Sequence, residues 1–271
     1  MKIMRVSIVL LFIVTAITFV GVYLHQKKSV DNTIPEIILE TDFIEVSCDA
    51  TNEDFLKGVT ATDGKDGDLT SQVIVESVSR FIEPGVCEVK YAVCDSDNHV
   101  ARATRRARYV DYEAPKFQLN TSLCFSLYEN INIGSYFTAV DSIEGDISSN
   151  IAITSPDYTS ALPGIFTLNI SVSNKQGDTS TLSLPLIMED RNLSAPTVTL
   201  TDYLIYLDKN QRVDFDDYIV EATDRNKNDL TNRIVIDDNV NFSESGTYSV
   251  HYYVTDSNGA KGHTVLNVVI E

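Results

Sequence analysis

One pattern occurs three times along the chain, and this repetition restricts the possible folds more than any other feature. Pro35, Pro115 and Pro196 open the copies at a spacing of about 80 residues. Further landmarks recur in the same order: an Ala-x-Asp triplet, an Asp-apolar-hydroxyl triplet, and a glycine before a long strand-like stretch. The Ala-x-Asp triplets are residues 61–63, 139–141 and 222–224, and the Asp-apolar-hydroxyl triplets are residues 68–70, 146–148 and 229–231. The glycines are Gly85, Gly164 and Gly246. Several landmarks in register predict three domains of one fold.

The stretch after each glycine alternates strictly between apolar and polar residues. In the third copy Tyr248, Val250, Tyr252 and Val254 fall on one face, and the stretch ends in Asp-Ser-Asn-Gly. This is typical of a half-buried strand that runs into a tight hairpin. With about seven such strands per copy, we predict an all-β chain of three tandem immunoglobulin-like β-sandwiches. The predicted domains are 29–113, 114–194 and 195–271, after an amino-terminal segment, 1–28.

An uncharged apolar run, residues 6–24, precedes the repeats and is flanked by basic residues on both sides. As a helix it would span roughly 28 Å, close to the hydrocarbon thickness of a bilayer. It predicts a single transmembrane helix that acts as an uncleaved signal anchor, with a cleaved signal peptide as the alternative. The expected location is the cell membrane, single-pass, with the Ig-like region extracellular and membrane contact through residues 6–24.

The acidic charge narrows the range of partners. A formal net charge of −18 argues against nucleic acid, because another polyanion would be repelled. Such a charge suits a solvated extracellular surface or one that collects divalent cations.

The repeat motifs resemble a known family. Ala-Thr-Asp-Gly-x-Asp-Gly-Asp-Leu-Thr from Ala61, followed by Pro-Gly-x-x-x-Val-x-Tyr-x-Val-x-Asp from Pro84, is similar to the bacterial Ig-like domains of crystal toxins and surface proteins, and to hyalin-repeat modules. The third copy matches well, whereas the second departs, with Asn174 where the others have Asp. The resemblance implies a non-enzymatic extracellular module used in adhesion, spacing or glycan contact.

The acidic loop of the first copy is the best candidate for a metal site. Asp63, Asp66 and Asp68 lie at near-alternate positions, and Asp95 in the following hairpin is a further candidate ligand. Oxygen-rich spacing of this kind can coordinate Ca²⁺, which takes six to eight oxygen ligands. The alternative is that these carboxylates cap loop amides. No other cofactor is expected.

Cysteines are concentrated in the first copy. Cys48 and Cys87 both fall at inward positions on different strands, which predicts a disulfide between the sheets, with two buried thiols as the alternative. Cys94 and Cys124 fall at outward positions and are not expected to pair with each other.

The last strand of the first copy is rich in arginine. Arg102, Arg106 and Arg108 fall on its outer face, where they form either a basic surface for anionic lipid or wall polymer, or a charged edge that resists pairing with another chain. Arg105 occupies an inward position for which the sequence offers no reason.

No catalytic motif accompanies the repeats: there is no nucleophile elbow, histidine metal pair or phosphate-binding loop. We therefore predict a non-enzymatic surface stalk or adhesion module that contacts a cell-surface glycan or protein. The alternatives are a glycan- or Ca²⁺-dependent binding module and an accessory domain of a cell-envelope enzyme system. A sugar-stacking surface could draw on five tyrosines: Tyr109, Tyr112, Tyr158, Tyr218 and Tyr253.

Overall fold

Each repeat is a sandwich of two small sheets in the computed structural model, which describes residues 2–29, 33–154, 159–192 and 194–271. The predicted all-β, immunoglobulin-like architecture is confirmed, because the same strand order recurs in every repeat. The two-layer arrangement follows from the sequence, since alternating apolar residues give each strand one face that must be buried.

Repeat 1 has seven strands. The first sheet has the order β1-β3-β4, and the second has the order β2-β7-β6-β5. A short helix, α2 (Asn52–Leu56), lies between the second and third strands. The strands are β1 (Glu36–Leu39), β2 (Phe43–Val46), β3 (Val59–Asp63), β4 (Gly67–Asp68), β5 (Ile74–Val78), β6 (Val86–Cys94) and β7 (Val100–Tyr109).

Repeat 2 has the same topology, with sheets β8-β10-β11 and β9-β14-β13-β12. A 3-10 turn, Ile133–Tyr136, stands where repeat 1 has helix α2. The strands are β8 (Lys116–Leu119), β9 (Cys124–Ser126), β10 (Phe137–Asp141), β11 (Gly145–Asp146), β12 (Ala152–Thr154), β13 (Gly164–Ser173) and β14 (Thr179–Glu189).

Repeat 3 has sheets β15-β17 and β16-β20-β19-β18. A single bridge between Thr223 and Asp229 replaces the short fourth strand of the other repeats. The strands are β15 (Thr197–Leu200), β16 (Leu204–Leu207), β17 (Ile219–Thr223), β18 (Val235–Asp238), β19 (Gly246–Thr255) and β20 (Lys261–Ile270).

The hairpin before each last strand turns in the same way. It follows Cys94, Ser173 or Thr255, and the fourth residue of each five-residue loop is left-handed: Asn98, Gly177 and Gly259 have φ of 68°, 91° and 84°. Glycine and asparagine tolerate this conformation best. The Asp-Ser-Asn-Gly signal of the sequence is therefore confirmed as a turn.

Each sandwich has its own core among the described residues, and the core of repeat 2 also includes Leu204 of repeat 3. Repeat 1 is centred on Val89 and Tyr91, repeat 2 on Leu168 and Leu184, and repeat 3 on Leu266, with further buried residues at alternate positions. The hydroxyls of the buried tyrosines need partners in an apolar surrounding. Accordingly, the Tyr91 hydroxyl donates to the Phe55 carbonyl at 2.7 Å.

The chain divides into two compact units, Met1–Val110 and Asp111–Glu271. The predicted boundary between residues 113 and 114 lies a few residues beyond this division. The predicted boundary between residues 194 and 195 lies inside the second unit, which contains both repeat 2 and repeat 3.

An amino-terminal helix, α1 (Lys2–Ser29), covers the predicted apolar segment. Among the described residues, however, no helix is at once long enough and apolar enough to traverse a bilayer, so the predicted transmembrane span is not supported.

Candidate functional site

The predicted calcium ligands are engaged in holding their loops. The Asp63 carboxylate accepts hydrogen bonds from the backbone N–H groups of Lys65 and Asp66, both at 2.9 Å, and from the Thr33 hydroxyl at 3.1 Å. These bonds hold the pKa of Asp63 below its usual value. The Asp68 carboxylate accepts from the backbone of Thr70 at 2.9 Å.

The other two aspartates join the acidic loop to the hairpin loop. The Asp66 carboxylate accepts from the backbone and hydroxyl of Ser96, at 2.8 and 2.9 Å. Asp95 accepts from the backbones of Asp97 and His99, and its second oxygen lies 2.7 Å from the His99 ring. All four carboxylates therefore bind groups of the protein itself.

Repeats 2 and 3 use the equivalent aspartates in the same way. Asp141 accepts from the backbones of residues 143 and 144, and Asp224 from those of residues 226 and 228. These hydrogen bonds are kept although the loops of repeats 2 and 3 carry fewer aspartates than that of repeat 1, so the function of these aspartates is to stabilise the loop. Within the part of the chain that the structure describes, the four predicted calcium ligands do not form a metal-ligand cluster, and the cluster that exists lies elsewhere.

The predicted disulfide between Cys48 and Cys87 is not present; the structure has both residues as thiols. The prediction placed them on facing sheets, but β2 and β6 belong to one sheet with β7 between them, and Cys48 lies in a turn two residues beyond the end of β2. Burial raises the pKa of the Cys87 thiol to about 11.

Arg105 has a structural explanation that the sequence does not reveal. It holds the core position that Leu184 and Leu266 hold in the other repeats, and it is 3% exposed. Its guanidinium donates to the carbonyls of Phe55 and Lys57 at 2.6 and 2.7 Å and to the Tyr91 hydroxyl at 2.8 Å. Arg105 therefore satisfies carbonyls at the end of α2, the helix that repeats 2 and 3 lack.

The outer arginines of β7 make surface contacts. Arg102 pairs with Glu76 at 2.9 Å, Arg106 lies 3.5 Å from Glu83, and the Arg108 guanidinium lies over the Phe43 ring. The edge-strand interpretation is wrong for residues 106–109, because β2 pairs with β7 there.

Strand β20 of repeat 3 is buried on both faces, unlike β7. Leu266 points into the core of repeat 3, whereas Val265 packs against Cys124 and Ile187 of repeat 2. Cys124 thus faces away from its own core, as the alternation predicts, yet it is buried because repeat 3 covers it.

Three chemically distinct side chains meet at this contact. Cys124 comes from β9, Glu189 from the end of β14 and His263 from β20, and one ligand atom of each lies within 4.8 Å of the others. His263 Nδ1 is 2.6 Å from Glu189 Oε1 and 3.3 Å from Cys124 Sγ. We call this group the Cys–Glu–His cluster.

A guanidinium completes the surroundings of the cluster. Arg191 donates to Cys124 Sγ at 2.9 Å and lies 3.2 Å from Glu189. The hydrogen bond from His263 lowers the pKa of Glu189 to about 2, while burial raises the pKa of the Cys124 thiol to about 12. Burial also lowers the pKa of His251, whose Nδ1 lies 3.0 Å from His263 Nε2.

The cluster does not have the arrangement of a nucleophilic triad. In a triad the base uses one ring nitrogen for the nucleophile and the other for the orienting carboxylate. Here Cys124 and Glu189 both approach Nδ1 of His263, and Nε2 faces a second histidine. Thiolate, imidazole and carboxylate at such distances are instead the donor set of a transition-metal site.

Rings stack beside the cluster and reach the surface. The centroids of Tyr253 and His263 are 4.4 Å apart, and those of His251 and His263 are 5.2 Å apart. The stack adjoins a cleft of about 500 Å³ between residues 189–194 and the hairpin loop 256–260. Of the two outer rings of this stack, His251 is half-buried and Tyr253 is 37% exposed.

The tyrosines predicted to form a sugar-stacking surface have separate surroundings where the structure describes them. Tyr109 is half-buried against the rings of Phe55 and Phe81, and Tyr112 donates to Asp178. Tyr158 lies outside the described residues.

The sequence contains a signal for this contact. Ile187, Val265 and Val269 are apolar at outward positions, where a solvated strand carries polar residues. Alternation within one repeat assigns them to the surface, and their partners become evident only when two repeats are placed together.

Comparison with known proteins supports the repeat assignment. The family model described as "Bacterial surface protein, Ig-like domain" matches residues 209–270. The chain is 25% identical over 270 residues to the pesticidal crystal protein Cry22Aa of Bacillus thuringiensis, covering 96% of this chain and 37% of that protein. The chain therefore spans well under two thirds of this relative. The resemblance to bacterial Ig-like domains is confirmed.

Solved structures with similar folds superpose poorly. Drosophila N-cadherin EC1-3 is 11% identical over 90% of each chain, with a TM-score of 0.32. A Clostridium perfringens ZmpB structure of CBM51-2 in complex with GlcNAc and INT domains is 19% identical over 51% of this chain and 29% of that one, with a TM-score of 0.23. Neither superposition carries an argument about function.

Proposed function

We propose that the chain is a non-enzymatic Ig-like repeat protein of the bacterial surface, which acts as a stalk or binding module outside the cell. The observation that carries this proposal is the match of residues 209–270 to bacterial surface Ig-like domains, in a chain whose three repeats share one strand order. Surface modules of this kind present a binding face while the sandwiches supply rigidity.

The chemistry of the loops supports a structural role. In all three repeats the aspartate that begins the acidic loop accepts hydrogen bonds from backbone amides of that loop. A carboxylate that must hold a loop is poorly available for acid–base chemistry, because its hydrogen bonds would break when it gains a proton.

Location is tested by protease treatment of intact cells that express the full chain. An extracellular Ig-like region is cleaved or labelled from outside, and removal of residues 1–28 traps it inside. The same cells, fractionated, test whether residues 6–24 anchor the chain or direct its secretion. Protection of all three repeats in intact cells would contradict the proposed location.

A second candidate function is glycan binding at the cleft beside Tyr253. Carbohydrate sites combine an aromatic ring for stacking with a few polar groups, and this cleft adds Asp190, Arg191 and Asn192 to the ring of Tyr253. A glycan array followed by calorimetry tests this. Tyr253→Ala should abolish the heat of binding, whereas Tyr128→Ala, at an exposed site in repeat 2, should leave it unchanged.

Calcium dependence is tested in the same calorimeter. Because the loop carboxylates are engaged by amides, we expect no saturable heat when Ca²⁺ is added to the full chain. A one-site isotherm that disappears in Asp66→Asn would instead support a calcium-dependent binding module.

A role as an accessory domain of an envelope enzyme predicts co-purification with that enzyme from solubilised membranes.

A further inference from the structure

We propose that Cys124, Glu189 and His263 form a zinc site that fastens repeat 2 to repeat 3. Cys124 and Glu189 belong to repeat 2 and His263 to repeat 3, so a bound ion would link the two sandwiches directly. The proposal concerns the internal assembly of the second compact unit and does not depend on what the protein binds.

The spacing of the donor atoms is close to that of a tetrahedral site. Zinc bonds of about 2.0–2.3 Å place neighbouring ligand atoms roughly 3.3–3.6 Å apart. Cys124 Sγ and His263 Nδ1 are already 3.3 Å apart. Glu189 Oε1 lies 2.6 Å from His263 Nδ1 and must withdraw by about 0.7 Å to reach the lower end of this range. Its side chain is 33% exposed, so it has room to do so.

The second histidine supports the ligand in the required form. A metal-bound imidazole donates its other N–H to an acceptor, which fixes the tautomer and the ring orientation. For His263 bound through Nδ1, that acceptor is Nδ1 of His251, 3.0 Å from Nε2. Stacking of His263 on Tyr253, at 4.4 Å, holds the ring plane from another side.

Arg191 occupies the position of a cation among these ligands. Its Nη2 contacts both Cys124 Sγ and Glu189 Oε2, while its Nε is buried without a hydrogen-bond partner in the structure. A buried donor without a hydrogen bond is energetically unfavourable, so a metal ion can displace the Arg191 guanidinium from this position. The side chain is 19% exposed and borders the cleft, into which it can withdraw as an ion enters.

The donor set favours zinc over harder cations. Thiolate and imidazole bind Zn²⁺, whereas Ca²⁺ and Mg²⁺ require oxygen ligands. As zinc binds, the Cys124 thiol proton passes to solvent, and the proton between His263 Nδ1 and Glu189 leaves Nδ1, so that the ring proton of His263 lies on Nε2 toward His251. No electrons are exchanged. Three protein ligands leave one coordination position for a water molecule from the cleft.

The direct test is a zinc titration of the metal-free full chain against a chromophoric chelator. We expect one Zn²⁺ per chain, and we expect Co²⁺ to give a sulfur-to-metal charge-transfer band. Cys124→Ser should remove the band and weaken binding beyond about 100-fold, since losing only a hydrogen-bond partner of a ligand costs about 10- to 100-fold. His251→Gln, which alters the hydrogen-bond partner of His263, should weaken binding by about 10- to 100-fold. Cys94→Ser, at an exposed cysteine of repeat 1, is the matched control and should change neither.

The Arg191→Gln variant tests whether a loss of zinc binding in Cys124→Ser reflects misfolding rather than loss of a ligand. Removing the competing guanidinium should tighten zinc binding and keep the cobalt band. The proposal is overturned if the chain binds no zinc, if Cys94→Ser and Cys124→Ser have equal effects, or if Arg191→Gln weakens binding as much as Cys124→Ser.

Discussion

Strands β7 and β20 occupy the same place in repeats 1 and 3, but their outer faces meet different surroundings. The outer residues of β7 include Arg102 and Thr104, both exposed. At the equivalent positions β20 carries His263 and Val265, both buried against repeat 2. On the inner faces the contrast is reversed: repeat 1 carries a charged residue, Arg105, inside its core, whereas repeat 3 carries the apolar Leu266 at the equivalent position.

This contrast shows that the two faces of one strand carry separate information. The inner face specifies the sandwich, and a single polar residue is tolerated there if the repeat supplies partners for it. The outer face specifies whether the sandwich stands in solvent or packs against a neighbour. Three copies of one fold can therefore assemble differently without any change in topology.

The largest expected effect comes from exchanging the core residues. Leu266→Arg would bury a guanidinium in repeat 3, where a 3-10 helix, Phe215–Tyr218, stands in place of α2 and the Phe215 carbonyl already accepts a hydrogen bond from the Tyr252 hydroxyl. We expect a loss of about 4 kcal/mol in the free energy of unfolding. Urea denaturation of the full chain, with hydrogen exchange to assign the transition to its repeat, measures this.

The reverse exchange calibrates that result. Arg105→Leu removes the buried charge but leaves the Lys57 carbonyl without its donor, so we expect a loss of only about 1–2 kcal/mol. Equal losses in the two variants would mean that the carbonyls around Arg105 are not what makes it tolerable.

The next effect concerns the outer face. Val265→Arg gives repeat 3 the charged outer surface of repeat 1 and forces a cation against Cys124 and Ile187. We expect a loss of about 3 kcal/mol and faster hydrogen exchange in β9 and β20. Thr104→Arg, at the equivalent exposed position of β7, is the control and should be neutral. If both substitutions are neutral, the contact between repeats 2 and 3 is not a stabilising interface.

A pH titration sharpens the comparison further. The pKa of Glu189 is lowered from 4.5 to about 2 by its hydrogen bond with His263, so the folded state favours the carboxylate. Its contribution to stability is present above about pH 4.5 and is lost as the pH falls toward 2. Glu189→Gln should therefore flatten the acid limb of the stability curve for the second unit. An unchanged acid limb would show that the contact with His263 is not maintained in solution.

Much of this architecture could be predicted from sequence, for a clear physical reason. Strand alternation and turn residues act locally, so the positions of Val250 and Tyr252, the turn at Gly259 and the common fold of three copies follow from short stretches. The alternative reading of Asp63 as a loop cap agrees with its hydrogen bonds, because that chemistry also lies within a few residues.

The rest depends on contacts between distant residues. Cys124 and His263 are 139 positions apart, and no local pattern links them. The disulfide prediction failed because alternation shows neither that β2 ends at Val46, before Cys48, nor that β2 shares a sheet with the strand of Cys87. Arg105 remained unexplained because its acceptors lie on α2, about 50 residues earlier.

The smallest effect on stability is expected at Arg102 of β7, whose equivalent position in β20 is His263. Arg102→Gln removes an ion pair with Glu76 in which the arginine side chain is 60% exposed. Solvent and salt already screen such pairs, so the free energy of unfolding should not change measurably. His263→Gln, at the equivalent buried position, should destabilise the second unit, because it removes the buried 2.6 Å hydrogen bond to Glu189 and the stacking on Tyr253. Parallel thermal melts at low and high salt measure both. A salt-sensitive loss in Arg102→Gln as large as that in His263→Gln would mean that burial does not distinguish the two outer faces.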